Sequence, residues 1–200
     1  MANYRTSRAL PIILVVVIII IAIAALVSLA RVVFFSGSST SPATVDTSRT
    51  ALLNPSLTHG VRMMVRGPIV ADEKFHSYQI DISAMNRSIK TYNGYLDSIV
   101  DQNDLGNSVA SYEQFVYALD KASLAKGNEL VDDKNDTRGV CANGTVTEFT
   151  ILDNGESVKK LWTSTCQGYK GSLNASVRDL TSLFVKQIPN ANNLISKIDL

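Results

Sequence analysis

Thr147 to Trp162 reads TEFTILDNGESVKKLW, two strand-like runs on either side of Asp153-Asn154-Gly155-Glu156. Asn-Gly supplies the positive φ angles of a tight turn whose twist matches the strands it joins. The unit from Val146 to Thr163 is therefore predicted to be a β-hairpin. Cys141 stands just before its first strand and Cys166 just after its second, so closing the hairpin brings the two thiols together. In an oxidising compartment such a pair forms a disulfide closing a loop of about 25 residues, worth roughly 2–4 kcal/mol. The cysteines are not directly opposite across a two-residue turn, so pairing them asks for a bulge or a longer loop. Unpaired core thiols, or a redox or metal site, are the other readings of the pair.

Upstream, the period is again that of strands. VRMMVRG from Val61, YQIDIS at Tyr78–Ser83 and SIKTYNGY at Ser88–Tyr95 alternate between apolar and polar residues and are separated by turn residues, which predicts two or three antiparallel strands. In the middle run Tyr78, Ile80 and Ile82 share one face, and Gln79, Asp81 and Ser83 face water. After the polar stretch Asp101–Ser108 the period turns helical: Tyr112, Phe115, Val116, Leu119 and Ala122 fall on one face. Ser111 with Gln114 reads as a capping box, and Gly127 as the C-terminal stop. SLNASVRDLTSLFVKQIP places Leu173, Val177, Leu180 and Phe184 at helical spacing, with Pro189 ending the pattern before a short tail. The aromatic stripes on both helices are read as core.

The N-terminus obeys a different rule. Ala9 to Ala30, ALPIILVVVIIIIAIAALVSLA, carries no ionisable residue and, at about 1.5 Å per residue, is long enough for a bilayer core of about 30 Å. Its Val and Ile residues favour strand in water, but in lipid the backbone must satisfy its own hydrogen bonds, and a helix is the single-segment solution. Pro11 falls in the first turn, where its missing N–H breaks no intrahelical bond. Arg5, Arg8 and the terminal amine precede the segment; Arg31 follows it, ahead of Val32, Val33, Phe34 and Phe35. This bias favours a cytoplasmic N-terminus and an exported remainder. Ser28-Leu29-Ala30 matches a signal-peptide cleavage site, but the apolar run exceeds the roughly 7–15 residues of a signal core. An uncleaved anchor is the expectation. Ser36–Thr50, SGSSTSPATVDTSRT, has no apolar periodicity and reads as a flexible stalk.

Charge and motifs narrow the functional classes without naming one. Nineteen basic against 18 acidic residues give a formal charge of +1, which argues against broad electrostatic binding of nucleic acid. No nucleophile elbow, phosphate loop, zinc-protease helix or dinucleotide fingerprint occurs, so no catalytic, cofactor-binding or metal-binding residue is assigned. Asp101–Gly106 starts like a calcium loop, but Leu105 cannot ligate and Tyr112 replaces the closing glutamate. Asp132, Asp133, Asn135 and Asp136 form a denser oxygen cluster, read as a solvated loop. His59 and His76 lack an identifiable partner or ligand spacing. Asn86, Asn135, Asn143 and Asn174 each begin an N-x-Ser/Thr triplet, which matters only in a eukaryotic secretory pathway.

The layout of basic N-terminus, hydrophobic helix and C-terminal disulfide hairpin resembles that of type IV pilins and pseudopilins, whose helices pack into a filament. Two features depart from that pattern: Leu10–Ala30 has neither a leader ending in Gly nor an early glutamate, and the Ser/Gly stalk interrupts the long helix. Across most of the C-terminal region, in VRGPIVADEKFHSYQIDIS (65–83), LWTSTC (161–166) and FVKQIP (184–189), the chain is similar to single-pass surface proteins of small-genome candidate-phylum bacteria. That resemblance implies a membrane-anchored surface protein and transfers no catalytic residue.

The expected organisation is a cytoplasmic N-terminus at 1–8, a transmembrane helix at 9–30 with apolar residues to 35, a stalk at 36–50, and one extracytoplasmic α+β domain at 51–200. That domain would hold antiparallel strands, two amphipathic helices and the Cys141–Cys166 disulfide. About 150 residues suffice for a single core. The expected partners are the bilayer, through 9–35, and another envelope protein or envelope component; the expected role is a non-enzymatic binding or structural module, with a pilin-like subunit or an envelope hydrolase as alternatives. Mass spectrometry of the membrane-extracted chain should give its full 21.7 kDa; a product beginning at Arg31 would turn the anchor into a signal peptide.

Overall fold

The structure, a computed structural model, describes residues 47–200 together with Ile19. The hydrophobic segment at 9–30 and most of the stalk lie outside the described residues. Among the described residues no helix is long and apolar enough to cross a membrane. The unit from Asp46 to Leu200 is an α+β fold built on a six-stranded antiparallel sheet.

In chain order the elements are α1 (Thr47–Leu52), β1 (His59–Arg66), a 3-10 turn (Asp72–Lys74), β2 (His76–Ser83), β3 (Asn86–Asn93) and β4 (Ser98–Gly106). They continue with α2 (Val109–Lys121), a second 3-10 turn (Asp132–Asn135), β5 (Val146–Asp153), β6 (Glu156–Ser164), α3 (Val177–Val185) and α4 (Ala191–Ile195). The sheet order is β4-β3-β2-β1-β5-β6. Four strands run as a meander; the chain then passes through α2 and returns on the far side of β1 to add the β5–β6 hairpin.

Strand alternation decides which face is core. Met63 lies opposite Ile80 on one side and Phe149 on the other, and Ile89 and Leu161 extend the same row. Val61, Ile82 and Ile151 form the next row. This apolar face is covered by Tyr112, Phe115, Val116 and Leu119 of α2 and by Leu180 and Phe184 of α3, all buried in one cluster. The Phe184 ring sits edge-on to Phe115 at 5.3 Å and tilted to Phe149 at 5.7 Å, geometries that aromatic quadrupoles favour. Burial pushes the Tyr78 phenol up to about 12. Opposite, a smaller cluster of Cys141, Val146 and Trp162 covers the β5–β6 end of the second face.

The hairpin forms as predicted: Asn154 and Gly155 adopt φ of 52° and 83°, and the register slips between Ile151 and Leu152. Several expectations need correction. The polar stretch at 101–108 is mostly β4, paired along β3 with a bulge at Thr91/Tyr92; as an edge strand exposed along most of its length it has no apolar face to alternate. The α2 cap is Ser108, whose hydroxyl oxygen accepts the Ser111 N–H at 3.2 Å, not Ser111. The helix ends at Lys121 and the chain reverses through Ser123, at φ 67°. Gly127 instead bridges Leu173, at φ +134° and so close that a Cβ would meet the Ser172 carbonyl at 2.1 Å. Leu173 therefore precedes α3, which Ser176 caps through the Asp179 N–H at 3.3 Å. Past Pro189 the tail holds a further helix, α4, with Ala191 and Ile198 buried. Residues 47–50, read as stalk, begin α1, and Arg49 ties it to α2 through Asp120 at 2.7 and 2.8 Å.

Phe184 is 0% exposed and joins α2, α3 and β5. Phe184→Ala should cost about 3–5 kcal/mol, read as a lowered urea midpoint with unchanged slope.

Candidate functional site

The predicted site residues scatter. His59 opens β1 and His76 opens β2; antiparallel pairing of these strands puts them at opposite ends of the sheet. His59 Nδ1 lies 2.9 Å from the Ser56 hydroxyl and 3.1 Å from that of Thr58. His76 Nδ1 lies 3.2 Å from the Asp199 carbonyl. Each ring is held by structural neighbours, and the two do not form a pair. The stretch that begins like a calcium loop is β4, where Asp101 accepts from Lys197 Nζ at 2.6 Å and is held below the usual carboxylate range by that bond. Among the described residues no group of three or more His, Cys, Asp or Glu side chains could hold a metal.

The two cysteines do come together, as a disulfide with Cα atoms 5.4 Å apart. The hairpin register carried one step further places Thr165 beside Thr145, with its N–H on the Thr145 carbonyl at 3.0 Å. Cys166 reaches Cys141 across the turn that follows Cys141, so the extra length expected from the spacing is there.

That disulfide holds one wall of a cleft of about 280 Å³ at the end of the sheet where β1 finishes and β2 begins. Four separate stretches build it: Arg66, Gly67, Ile69 and Phe75 from the end of β1 into the β1–β2 connection, Tyr95 in the β3–β4 turn, Thr137 to Cys141, and Val146 at the start of β5. Local chemistry explains each. Pro68 has no N–H to continue β1, so the chain leaves the sheet there, and the Ile69 N–H donates to the Ala142 carbonyl at 2.9 Å, tying one wall to the other. Gly94, at φ 74°, turns the chain over the Asp72 carboxylate, which accepts the Tyr95 N–H at 2.8 Å. The Tyr95 ring then stacks on Phe75, centroids 4.1 Å apart. Its hydroxyl donates to the Val70 carbonyl at 2.7 Å and accepts the Val70 N–H at 3.1 Å.

Beneath the far wall sits a carboxylate that is only 8% exposed, that of Glu148. It accepts the Thr137 hydroxyl at 2.7 Å, lies 3.6 Å from Arg66 Nε and 4.0 Å from Lys160 Nζ. The buried Arg66 Nε–H has no hydrogen-bond partner. At the rim the Arg138 guanidinium grips Asp136 and pulls its carboxyl from the ordinary 3.8 down to about 2. Because the folded value is the lower one, this grip is fully present above about pH 4 and is lost as the pH falls through about 2.

The cleft opens beside an apolar edge. Ile69, Val70, Tyr95, Ile99 and Val100 are exposed, and Leu96 at the turn is 92% exposed. Sequence periodicity could not assemble this site from four distant stretches. The usable signal was composition: large apolar residues inside turn segments, GPIV at 67–70 and GYL at 94–96, where polar residues are the norm.

No protein-family model matches the chain, and no curated protein matches it either.

Replacing both cysteines, Cys141→Ser with Cys166→Ser, should lower stability by about 2–4 kcal/mol and free the far wall. Limited proteolysis should then cut within residues 128–145 before the sheet; identical digestion of variant and parent would show that the disulfide does not hold the wall.

Proposed function

We propose that this chain is a membrane-tethered extracytoplasmic binding module that receives an envelope component in the cleft at the end of its sheet. The cleft carries the reading. Its aromatic stack, aliphatic walls and two guanidiniums, one of them held by Asp136, are recognition chemistry, apolar area for affinity with a few polar groups for orientation. The exposed row from Ile69 to Val100 adds a contact rim of the kind that monomeric surfaces seldom leave uncovered. The charge-free segment at 9–30 supports the tether, and the disulfide supports an oxidising compartment, which agrees with an N-terminus on the cytoplasmic side.

A second reading, a subunit of a surface assembly, has one observation in its favour. β4 ends the sheet and pairs only with β3, which leaves its outer backbone groups available to a further strand.

Photo-crosslinking from a probe at Val100 in intact membranes should recover a discrete product, and Leu96→Asp in the same chain should weaken its yield about tenfold, the effect of removing one buried apolar side chain from an interface. Leu96 is exposed, so the variant keeps its fold. An undiminished product in the variant would remove the cleft rim from the interaction. A ladder of self-crosslinked chains would favour the assembly reading.

A further inference from the structure

Arg66 has no carboxylate to itself. Glu148 offers one negative charge to two cations, Arg66 at 3.6 Å and Lys160 at 4.0 Å. Arg138, the other guanidinium of the cleft, is held by Asp136. Arg66 lines the cleft and shares Glu148 with Lys160, and its buried Nε–H has no hydrogen-bond partner.

Most of the surface beside that guanidinium is apolar, from Ile69, Phe75, Tyr95 and Val146, with Thr137 and the Asp136-bound Arg138 on the far wall. A purely apolar occupant would strip water from Arg66 and give nothing back, which is costly for an ion. A carboxylate answers the planar fork in kind. The volume of about 280 Å³ lies just below the usual range of ligand pockets, about 300 to 1,000 Å³, which suits a small ligand better than a nucleotide or an oligosaccharide. We propose that the cleft binds a small apolar monocarboxylate, its carboxylate on Arg66 and its aryl or alkyl body along the Phe75–Tyr95 stack and Ile69. This ligand class rests on the binding reading given above.

The test uses the full chain in lipid nanodiscs, with empty nanodiscs as the blank, and three probes: 3-phenylpropionate, its neutral amide, and the peptide Gly-Gly-Phe with a free carboxylate. Calorimetry should show the acid binding about tenfold tighter than the amide, the margin of one charge-assisted hydrogen bond. Arg66→Gln should bring the acid down to the level of the amide, and an unchanged near-ultraviolet circular dichroism signal from the Phe75–Tyr95 stack shows that the cleft is intact in the variant. Equal binding of acid and amide to the parent, or an acid unaffected by Arg66→Gln, overturns the carboxylate while leaving the cleft as a binding site. Binding of neither acid nor amide overturns the cleft reading as well. A peptide that binds as tightly as 3-phenylpropionate overturns the small-molecule assignment in favour of a polypeptide C-terminus.

Discussion

The constraint on which this fold depends is that β1 must be satisfied on both edges and both faces. Seven of its residues pair in register with β2 and all eight with β5, and its side chains are buried on both faces except at Arg62 and Arg66. A strand held this way cannot slip by one residue, because a slip would turn Val61, Met63 and Val65 toward the second face and bring charge into the core. Its register then fixes the neighbours: Met63 locates Ile80 and Phe149, and through them the α2–α3 aromatic contacts. The same register delivers Arg66 to the end of the sheet. The guanidinium of the cleft is thus placed by the most constrained strand, while the surfaces it works with are on loops.

Those loops are tied down by polar groups more than by apolar packing. Ile69 to Ala142, Tyr95 to Val70, Tyr95 to Asp72, and Thr137 to Glu148 are hydrogen bonds between stretches far apart in the chain. The bond from Thr137 to Glu148 is buried and satisfies a carboxylate that would otherwise be orphaned; the other three lie at exposed positions and fix the course of the loops. Glu148 does two jobs: it anchors the far wall through Thr137 and it balances part of the positive charge that the wall covers. Buried among cations, it makes the wall and the electrostatics of the cleft one coupled arrangement.

How much of this was legible follows from where each signal resides. The β5–β6 hairpin was legible because Asn154 and Gly155 state their backbone angles locally. Tyr78, Ile80 and Ile82, and Tyr112 through Leu119, were legible because one face is buried and the period shows it. β4 was hidden: with most side chains exposed, its pairing is carried by backbone groups that sequence does not display. The caps were misplaced by a few residues because Ser108 and Ser111 are both plausible oxygens, and only the extended backbone at Ser108 selects between them. The cleft was not legible at all, since Arg66, Phe75, Tyr95 and Cys141 meet only after the meander closes. The hydrophobic segment at 9–30, the plainest signal in the sequence, lies outside the described residues.

The two outer strands of the sheet are not equivalent. Along the second half of β6 the backbone is already occupied: the Trp162 carbonyl accepts from the Ser172 and Leu173 N–H groups at 2.9 and 3.0 Å, and the Trp162 N–H donates to the Ser172 hydroxyl at 3.1 Å. Gly171 packs so tightly there that a Cβ would meet the Trp162 carbonyl at 2.1 Å. Among the described residues nothing straps β4 in this way. Lateral growth of the sheet is therefore favoured on one side: two copies that met β4 to β4 about a two-fold axis would turn outward their β6 edges, each strapped along its second half. Strand addition in this geometry closes at a dimer, because an open fibre needs a second receptive edge.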